Sequence, residues 1–251
     1  MKTWKVIPIK YGSIDLDYSN MTNYKNKGVQ ITVPIWGAAI TDGNTKIIVD
    51  TGVRDAAEYK AAEPGFSQQE DEITENAIKS IMGWDCLDVD IVINTHLHVD
   101  HAGCNYLFKN AKFYVQKTEW EAAHNPLIPE KPFYLVKDFD KTAVKYFQWN
   151  FLEGDSDILE GISVITTPGH TRGHQSVLVN IEEGVLCITG DISNIADNVN
   201  ENLEPNIIVD VPGTYESIKR VRQFADYMLP GHDPNIISGK SEFIKVVDYE
   251  N

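Results

Sequence analysis

Cysteine is scarce in this chain and basic charge is in deficit. The 251 residues include three cysteines, Cys86, Cys104 and Cys187, an odd number without paired spacing. A disulfide framework is therefore excluded, and reduced thiols in a cytoplasmic protein are expected. Lys and Arg number 22 against 37 Asp and Glu, a formal net charge of −15. Nucleic-acid binding relies on clustered cations that displace counterions from phosphates, so partners of that kind, and anionic membranes, are disfavoured. Charge of this sign keeps a protein soluble. Long apolar runs are also missing. Nothing approaches the roughly 18–20 residues of a membrane span, and Met1 to Lys10 lacks the apolar centre of a secretory signal. With 42% hydrophobic and 24% charged residues the composition is that of a globular protein, which excludes disorder, collagen and coiled coil. No repeat, low-complexity tract or linker interrupts residues 1–251, so one domain is expected.

What is present is a series of short apolar runs closed by turn residues. Gln30 to Ile40 and Lys46 to Val49 flank Thr41-Asp42-Gly43-Asn44 and read as a hairpin. Ile91–Asn94, Lys112–Val115, Ile162–Ile165, Ser176–Val179 and Val185–Ile188 read as further strands. Glu72 to Met82 puts Ile73, Ala77, Ile78 and Ile81 near one helical face, with Gly83 as its stop. Thr118 to His124, opened by a capping Thr118, and Thr214 to Met228, with Ile218, Val221 and Ala225 in step, read as helices. Strand-rich halves separated by helices point to an α/β fold of helices covering two packed sheets.

Histidine is as scarce as these features are common, yet its placement is not scattered. Three of seven histidines fall in Thr95-His96-Leu97-His98-Val99-Asp100-His101, directly after the Ile91–Asn94 strand. In an extended segment alternate side chains share a face. His96, His98 and Asp100 then point one way and His101 the other, so the four donors can divide between two ions. Two imidazoles plus a third suit zinc with an open position. Pro168-Gly169-His170, Thr189-Gly190-Asp191 and Pro230-Gly231-His232 each set a His or Asp after a glycine that ends an apolar run.

These residues resemble the ligand set of the metallo-β-lactamase superfamily, and most nearly its N-acyl homoserine lactonase-like branch. Supporting segments are Val33-Pro34-Ile35-Trp36, Ile48-Val49-Asp50-Thr51-Gly52, His101-Ala102-Gly103, Thr167 to Ser176 and Gly231-His232-Asp233. The resemblance implies an αβ/βα four-layer sandwich, two mixed sheets flanked by helices, with the site on the rim. It implies that His96, His98 and His170 hold one divalent ion and Asp100, His101 and His232 a second. Asp191 would bridge them, with a water or hydroxide between. Zinc is the first expectation for both ions, and manganese, iron or cobalt suit the same donors. A histidine at 98, where related diiron flavoproteins carry Glu, favours hydrolysis over redox chemistry. Asp50 fits a role orienting a ligand imidazole. His174 reads as a hydrogen-bonding residue, His124 as a solvated helix end and Cys104 as a small buried residue.

The implied reaction is metal-dependent hydrolysis of a small neutral cyclic ester by hydroxide held between the ions, with Asp100 shuttling the proton. One position departs from the branch. Relatives acting on acyl homoserine lactones carry Tyr three residues after the bridging Asp, whereas Asn194 stands here. Asn194 is then the candidate group at the substrate carbonyl, with Tyr215 or another tyrosine as a substitute. Val99 replaces a bulkier aromatic and widens the pocket. Tyr18, Met21 and Tyr24 within Tyr11–Gly28, Phe133-Tyr134 and Phe147-Gln148-Trp149 are candidate pocket walls. Cyclic amide or β-lactam-like hydrolysis, thioester hydrolysis and a non-catalytic metal protein are the alternatives. Thioester chemistry on glutathione calls for a basic patch that the motifs do not show, and loss of ligands would mark a non-catalytic relative. A monomer or homodimer is expected.

Overall fold

The computed structural model describes residues 2–141 and 145–247. Strands β1 (Lys5–Asp17), β2 (Gln30–Thr41), β3 (Lys46–Val49), β4 (Phe66–Ser67), β5 (Ile91–Ile93), β6 (Lys112–Gln116) and β7 (Gln148–Leu152) form one sheet in the order β4-β1-β2-β3-β5-β6-β7. Strands β8 (Ser156–Leu159), β9 (Ile162–Thr166), β10 (Gln175–Ile181), β11 (Gly184–Gly190), β12 (Tyr227–Pro230) and β13 (Ile244–Lys245) form a second, in the order β13-β12-β11-β10-β9-β8. Both sheets are mixed. In the first, β1, β2 and β3 pair antiparallel while β3, β5, β6 and β7 run parallel. In the second, β11 and β12 are the one parallel-paired neighbour set among the described residues.

The period of two along each strand sorts side chains into layers. On β2, Trp36, Ala38 and Ile40 face the second sheet, joined by Ile47 and Val49 of β3, Ile91 and Ile93 of β5, and Val177, Val179, Leu186 and Ile188 opposite. The alternate residues Val33, Ile35, Ala39, Ile48 and Val92 pack outward against Ala77 and Ile78 of a helix. Cys187 and Met228 do the same on the far side, against Ile218 and Val221. Burial on both faces is why these strands read as unbroken apolar runs.

The helices are α1 (Ala56–Ala62), α2 (Thr74–Met82), α3 (Lys117–His124), α4 (Ala196–Asn200) and α5 (Val211–Phe224). Helix, sheet, sheet, helix is the four-layer sandwich expected. No helix among the described residues is long and apolar enough to cross a membrane.

One strand is unanticipated and three local expectations change. The strand is Lys5–Asp17, which Pro8 and Gly12 disguise. β4 pairs only with Ser13 and Ile14, so β1 is a sheet edge at Pro8, where a missing N–H is tolerated. The register shift between Lys10 and Ser13 accommodates Gly12. First, the helix read over Thr214–Met228 begins at Val211 and stops at Phe224, because Met228 pairs in register with Cys187 in β12. Second, α2 starts at Thr74 rather than Glu72, whose carboxylate accepts instead from the Gln69 N–H at 2.7 Å. Third, Thr118 lies inside α3 rather than capping it. The N-cap position belongs to Gln116, whose amide nitrogen donates to Gly154 O and Gln175 Oε1, each at 2.9 Å.

Candidate metal centre

Strand polarity builds the site. β3 and β5 are parallel, as are β11 and β12, and β9 runs with β11 because both are antiparallel to β10. Their C-terminal ends therefore open on one rim. Asp50 follows β3, His96–His101 follow β5, His170 follows β9, Asp191 follows β11 and His232 follows β12.

The seven sequence-predicted donors converge there, and all are buried. Three overlapping groups have donor atoms within 4.8 Å of one another: His96, His98 and His170; His96, His101 and Asp191; and Asp100, His101 and His232. Asp191 connects them. Its Oδ2 lies 3.2 Å from His232 Nε2 and 3.5 Å from His170 Nε2, and its Oδ1 lies 3.2 Å from His101 Nε2. Glycine permits this approach, since a Cβ on Gly231 would meet Asp191 Oδ1 at 2.3 Å.

Four imidazoles are held by the nitrogen that faces away from the centre. His101 Nδ1 sits 2.8 Å from Asp50 Oδ2, His96 Nδ1 3.0 Å from Thr95 Oγ1, His170 Nδ1 2.8 Å from Ile207 O, and His232 Nδ1 2.9 Å from Pro34 O. An oxygen acceptor at Nδ1 selects the Nδ1–H tautomer and leaves Nε2 with its lone pair inward. The hydroxyl of Thr95 donates to Asp50, which makes it an acceptor for His96.

Electrostatics divide the imidazoles into two groups. Burial, aided by the neighbouring imidazoles, holds His96 and His98 well below the usual histidine range. Burial also lowers His170. For His101 and His232 burial is outweighed by carboxylates, chiefly Asp191, and both are raised. Burial would raise Asp191, but His101 and His232 hold it well below the carboxylate range. Nε2 of His96 and His101 and Oδ1 of Asp191 are buried without a hydrogen-bond partner, and His98 turns its Nδ1 inward, 3.0 Å from His170 Nε2. Orphaned buried lone pairs are costly. A divalent cation satisfies all of them, and imidazole with carboxylate is a donor set for that class of ion.

The surrounding residues divide as follows. His174 accepts from the Asp191 N–H at 3.1 Å and meets Thr167 Oγ1 at 2.9 Å, and burial pushes its ring down to about 3. Cys104 is buried with its thiol on Val53 O, in keeping with its expected role. His124 is not simply solvated, because its Nε2 meets Asp140 Oδ2 at 2.7 Å.

Beside the donors lies a cavity of about 170 Å³. Its walls include Ile14, Leu16, Met21, Tyr59, Phe133, Asn194 and Ile207. Met21 and Phe133 are thus where expected, and Asn194 lines the cavity with its Oδ1 buried and unpartnered. Other expected walls lie elsewhere. Tyr24 is 75% exposed, Tyr18 bonds Asp197, Tyr134 bonds Glu119, and Phe147 and Trp149 pack on Phe113. Tyr215 bonds Glu204 and does not line the cavity.

Two residues near the donors escape sequence reasoning. Tyr59 of α1 reaches the cavity from a helix that no periodicity announced. Glu119 of α3 is fully buried and accepts from Leu97 N, Tyr134 Oη, Thr171 Oγ1 and Gly173 N at 3.0, 2.9, 2.6 and 3.2 Å. It ties the His96–His101 loop to the His170 loop. Burial pushes its carboxyl up even so. The available signal was spacing: Glu119 shares its buried face with Ala122 and Ala123, so a charge stands in an apolar stripe.

A mixed two-sheet sandwich with a buried histidine–aspartate cluster at the strand ends defines a metal-binding hydrolase architecture. The chain belongs to the metallo-beta-lactamase superfamily, whose family model matches residues 34–234. It is 30% identical to the N-acyl homoserine lactonase AttM of Azorhizobium caulinodans, over 90% of this chain and 92% of that one. It is 27% identical to the N-acyl homoserine lactonase AiiA of Bacillus thuringiensis subsp. kurstaki, over 93% and 94% of the two chains. Among solved structures it resembles an N-acyl homoserine lactone hydrolase with the product N-hexanoyl-L-homoserine at its catalytic metal centre. That match has a TM-score of 0.79 at 27% identity and covers 93% of this chain and 95% of the other.

Proposed function

We propose that the chain, acting as a single domain in the cytoplasm, is a two-metal hydrolase that opens small neutral cyclic esters. N-acyl homoserine lactone is the leading substrate and zinc the leading metal. The observation that carries this reading is the set of inward, unpartnered donor atoms beside a mostly apolar cavity. His96, His98 and His170 would hold one ion, Asp100, His101 and His232 the other, and Asp191 both. Ions held there supply Lewis acidity, polarising a carbonyl and making water nucleophilic near neutral pH.

The protein's own groups do the rest. Ile14, Leu16, Met21 and Phe133 give an acyl or ring portion an apolar wall and exclude water. Asn194 presents an amide at the cavity, where its unpartnered Oδ1 can accept an N–H of the bound substrate. Asp100, the most exposed of the donors at 9%, is placed to carry a proton from the nucleophile to the leaving alkoxide. An N–H acceptor at position 194 suits a cyclic amide as well as an N-acyl lactone, and keeps cyclic amide hydrolysis as the second reading.

The test is a panel of lactones, cyclic amides and thioesters offered to zinc- and manganese-reconstituted protein. Lactone opening that EDTA abolishes and metal restores is expected, with His98→Ala and Asp100→Ala inactive. Preference for cyclic amides would select the second reading, and activity surviving in both variants would sink the mechanism. Asn194→Tyr probes specificity: lactone turnover that does not move removes position 194 from substrate choice.

A further inference from the structure

Asp100 receives one hydrogen bond among the described residues, and it comes from outside every motif that defines the site. Tyr59 Oη lies 3.2 Å from Asp100 Oδ2. The phenol is delivered by α1, a short helix capped by Asp55, whose Oδ1 accepts from the N–H groups of Ala57 and Glu58 at 3.0 Å each. The ring is fixed from behind, edge-on against Phe66 with centroids 4.8 Å apart. Among the described residues Tyr59 is also the one tyrosine on the cavity wall, which Asn194 shares. The neighbouring candidates are committed to other carboxylates: Tyr18 to Asp197, Tyr134 to Glu119 and Tyr215 to Glu204.

We propose that Tyr59 is a positioning residue for Asp100, holding that carboxylate in its working orientation from α1 where position 194 offers an amide rather than a phenol. The proposal rests on Asp100 acting as metal donor and proton carrier. A carboxylate that must bind on one side and exchange a proton on the other gains from a donor that occupies one oxygen and restricts its rotation. The phenol is a neutral, directional donor, and its ring packing gives it little freedom to leave.

Tyr59→Phe retains the packing on Phe66 and deletes only the hydroxyl. In the zinc-loaded enzyme it is expected to lower kcat by about 10–100-fold with KM changed less than about threefold, since outer hydrogen bonds to metal donors have effects of this size. Zinc affinity, read by competition with a chromophoric chelator, should fall by about tenfold. That arm needs no substrate, so it judges Tyr59 even if lactone hydrolysis is the wrong reaction. In an Asp100→Asn background the added effect of Tyr59→Phe should vanish, because the two residues act as one unit. Tyr59→Leu separates hydroxyl from ring: it should match Tyr59→Phe in zinc affinity and fall further in Tm. The inference is overturned if Tyr59→Phe retains wild-type kcat and zinc affinity, if only Tyr59→Leu is impaired, or if the loss persists undiminished beside Asp100→Asn.

Discussion

Replacing Asp50 by Asn changes one atom of the site and forces a choice between two losses. The carboxylate accepts three hydrogen bonds. Oδ1 takes the Thr95 N–H at 2.8 Å, and Oδ2 takes the Thr95 hydroxyl at 2.7 Å and His101 Nδ1 at 2.8 Å. An amide can keep only one of these sides as acceptor. With its NH2 toward Thr95 N, a buried backbone N–H is orphaned, at a cost of about 1–3 kcal/mol. With its NH2 toward His101, the imidazole must accept at Nδ1 and carry its proton on Nε2, the atom that faces Asp191. That tautomer cannot bind a cation. Either route predicts a loss of roughly 10–100-fold in metal affinity, the usual size for the partner of a ligating histidine. Backbone strain does not confuse the result: Asp50 has φ 56°, and Asn tolerates that left-handed region as well as Asp does. Zinc competition titration together with urea unfolding of the metal-free protein separates the two routes, because only the first lowers metal-free stability. Wild-type zinc affinity with two ions bound in folded Asp50→Asn would refute the claim that Asp50 sets the His101 tautomer.

Three further predictions follow from the same geometry. Glu119→Ala orphans the Leu97 and Gly173 N–H groups while removing a buried carboxyl. The first effect should win, lowering the urea-derived stability by about 2 kcal/mol and loosening metal binding, and an unchanged urea midpoint would refute it. Metal-free protein should be most stable near pH 6.5. Below that, His96, His98, His170 and His174, all lowered by burial, take up protons only on unfolding, so stability falls as pH falls. Above it, His101 and His232, raised by Asp191, lose protons that the folded state favours, so stability falls again as pH rises. Urea midpoints that climb steadily from pH 5 to 8 would contradict this. Asp138, pushed up to about 7 by burial despite Arg54 at 3.1 Å, favours folding below its unfolded value near 3.8 and loses that contribution as pH rises to 7. The stability of Asp138→Asn relative to wild type should therefore grow by up to about 1.4 kcal/mol per pH unit across that window, and a flat difference would refute it.

Legibility in the sequence followed how local the physics was. The donors at 96, 98, 100 and 101 were readable because one short segment after β5 carries them, although it closes in a turn over Val99–His101 instead of running extended, and His170, Asp191 and His232 because each follows a glycine at or shortly past a strand end. Sheets buried on both faces announced themselves as apolar runs. What stayed hidden depends on long-range pairing. β1 is a strand because β2 pairs with it along its length, and no local propensity overcomes Pro8 and Gly12 in advance. α5 ends where β12 must begin. Tyr59 and Glu119 look like ordinary helix residues until the fold turns α1 and α3 toward the rim. The Tyr215 suggestion failed for the same reason, since nothing local in the sequence shows that its phenol turns to Glu204.

Charge and cavity together narrow the substrate more than either does alone. Overall acidity disfavours polyanions at long range, but a local basic wall could still have admitted a phosphate or a glutathione carboxylate. Among the described residues no Lys or Arg lines the cavity, and Glu63 shares its wall with Asp100 and Asp191. An anionic substrate would meet uncompensated carboxylates there, whereas a neutral ring with an apolar tail meets Ile14, Leu16, Met21 and Phe133. Cations held at the centre would then supply the positive charge that a substrate meets at this wall. A carbonyl would be drawn to them, which would help orient a neutral ester in the cavity. Adding a cation at the wall tests this: Glu63→Lys should raise turnover of anionic esters relative to neutral lactones. If the ratio stays fixed, the wall's charge does not select the substrate.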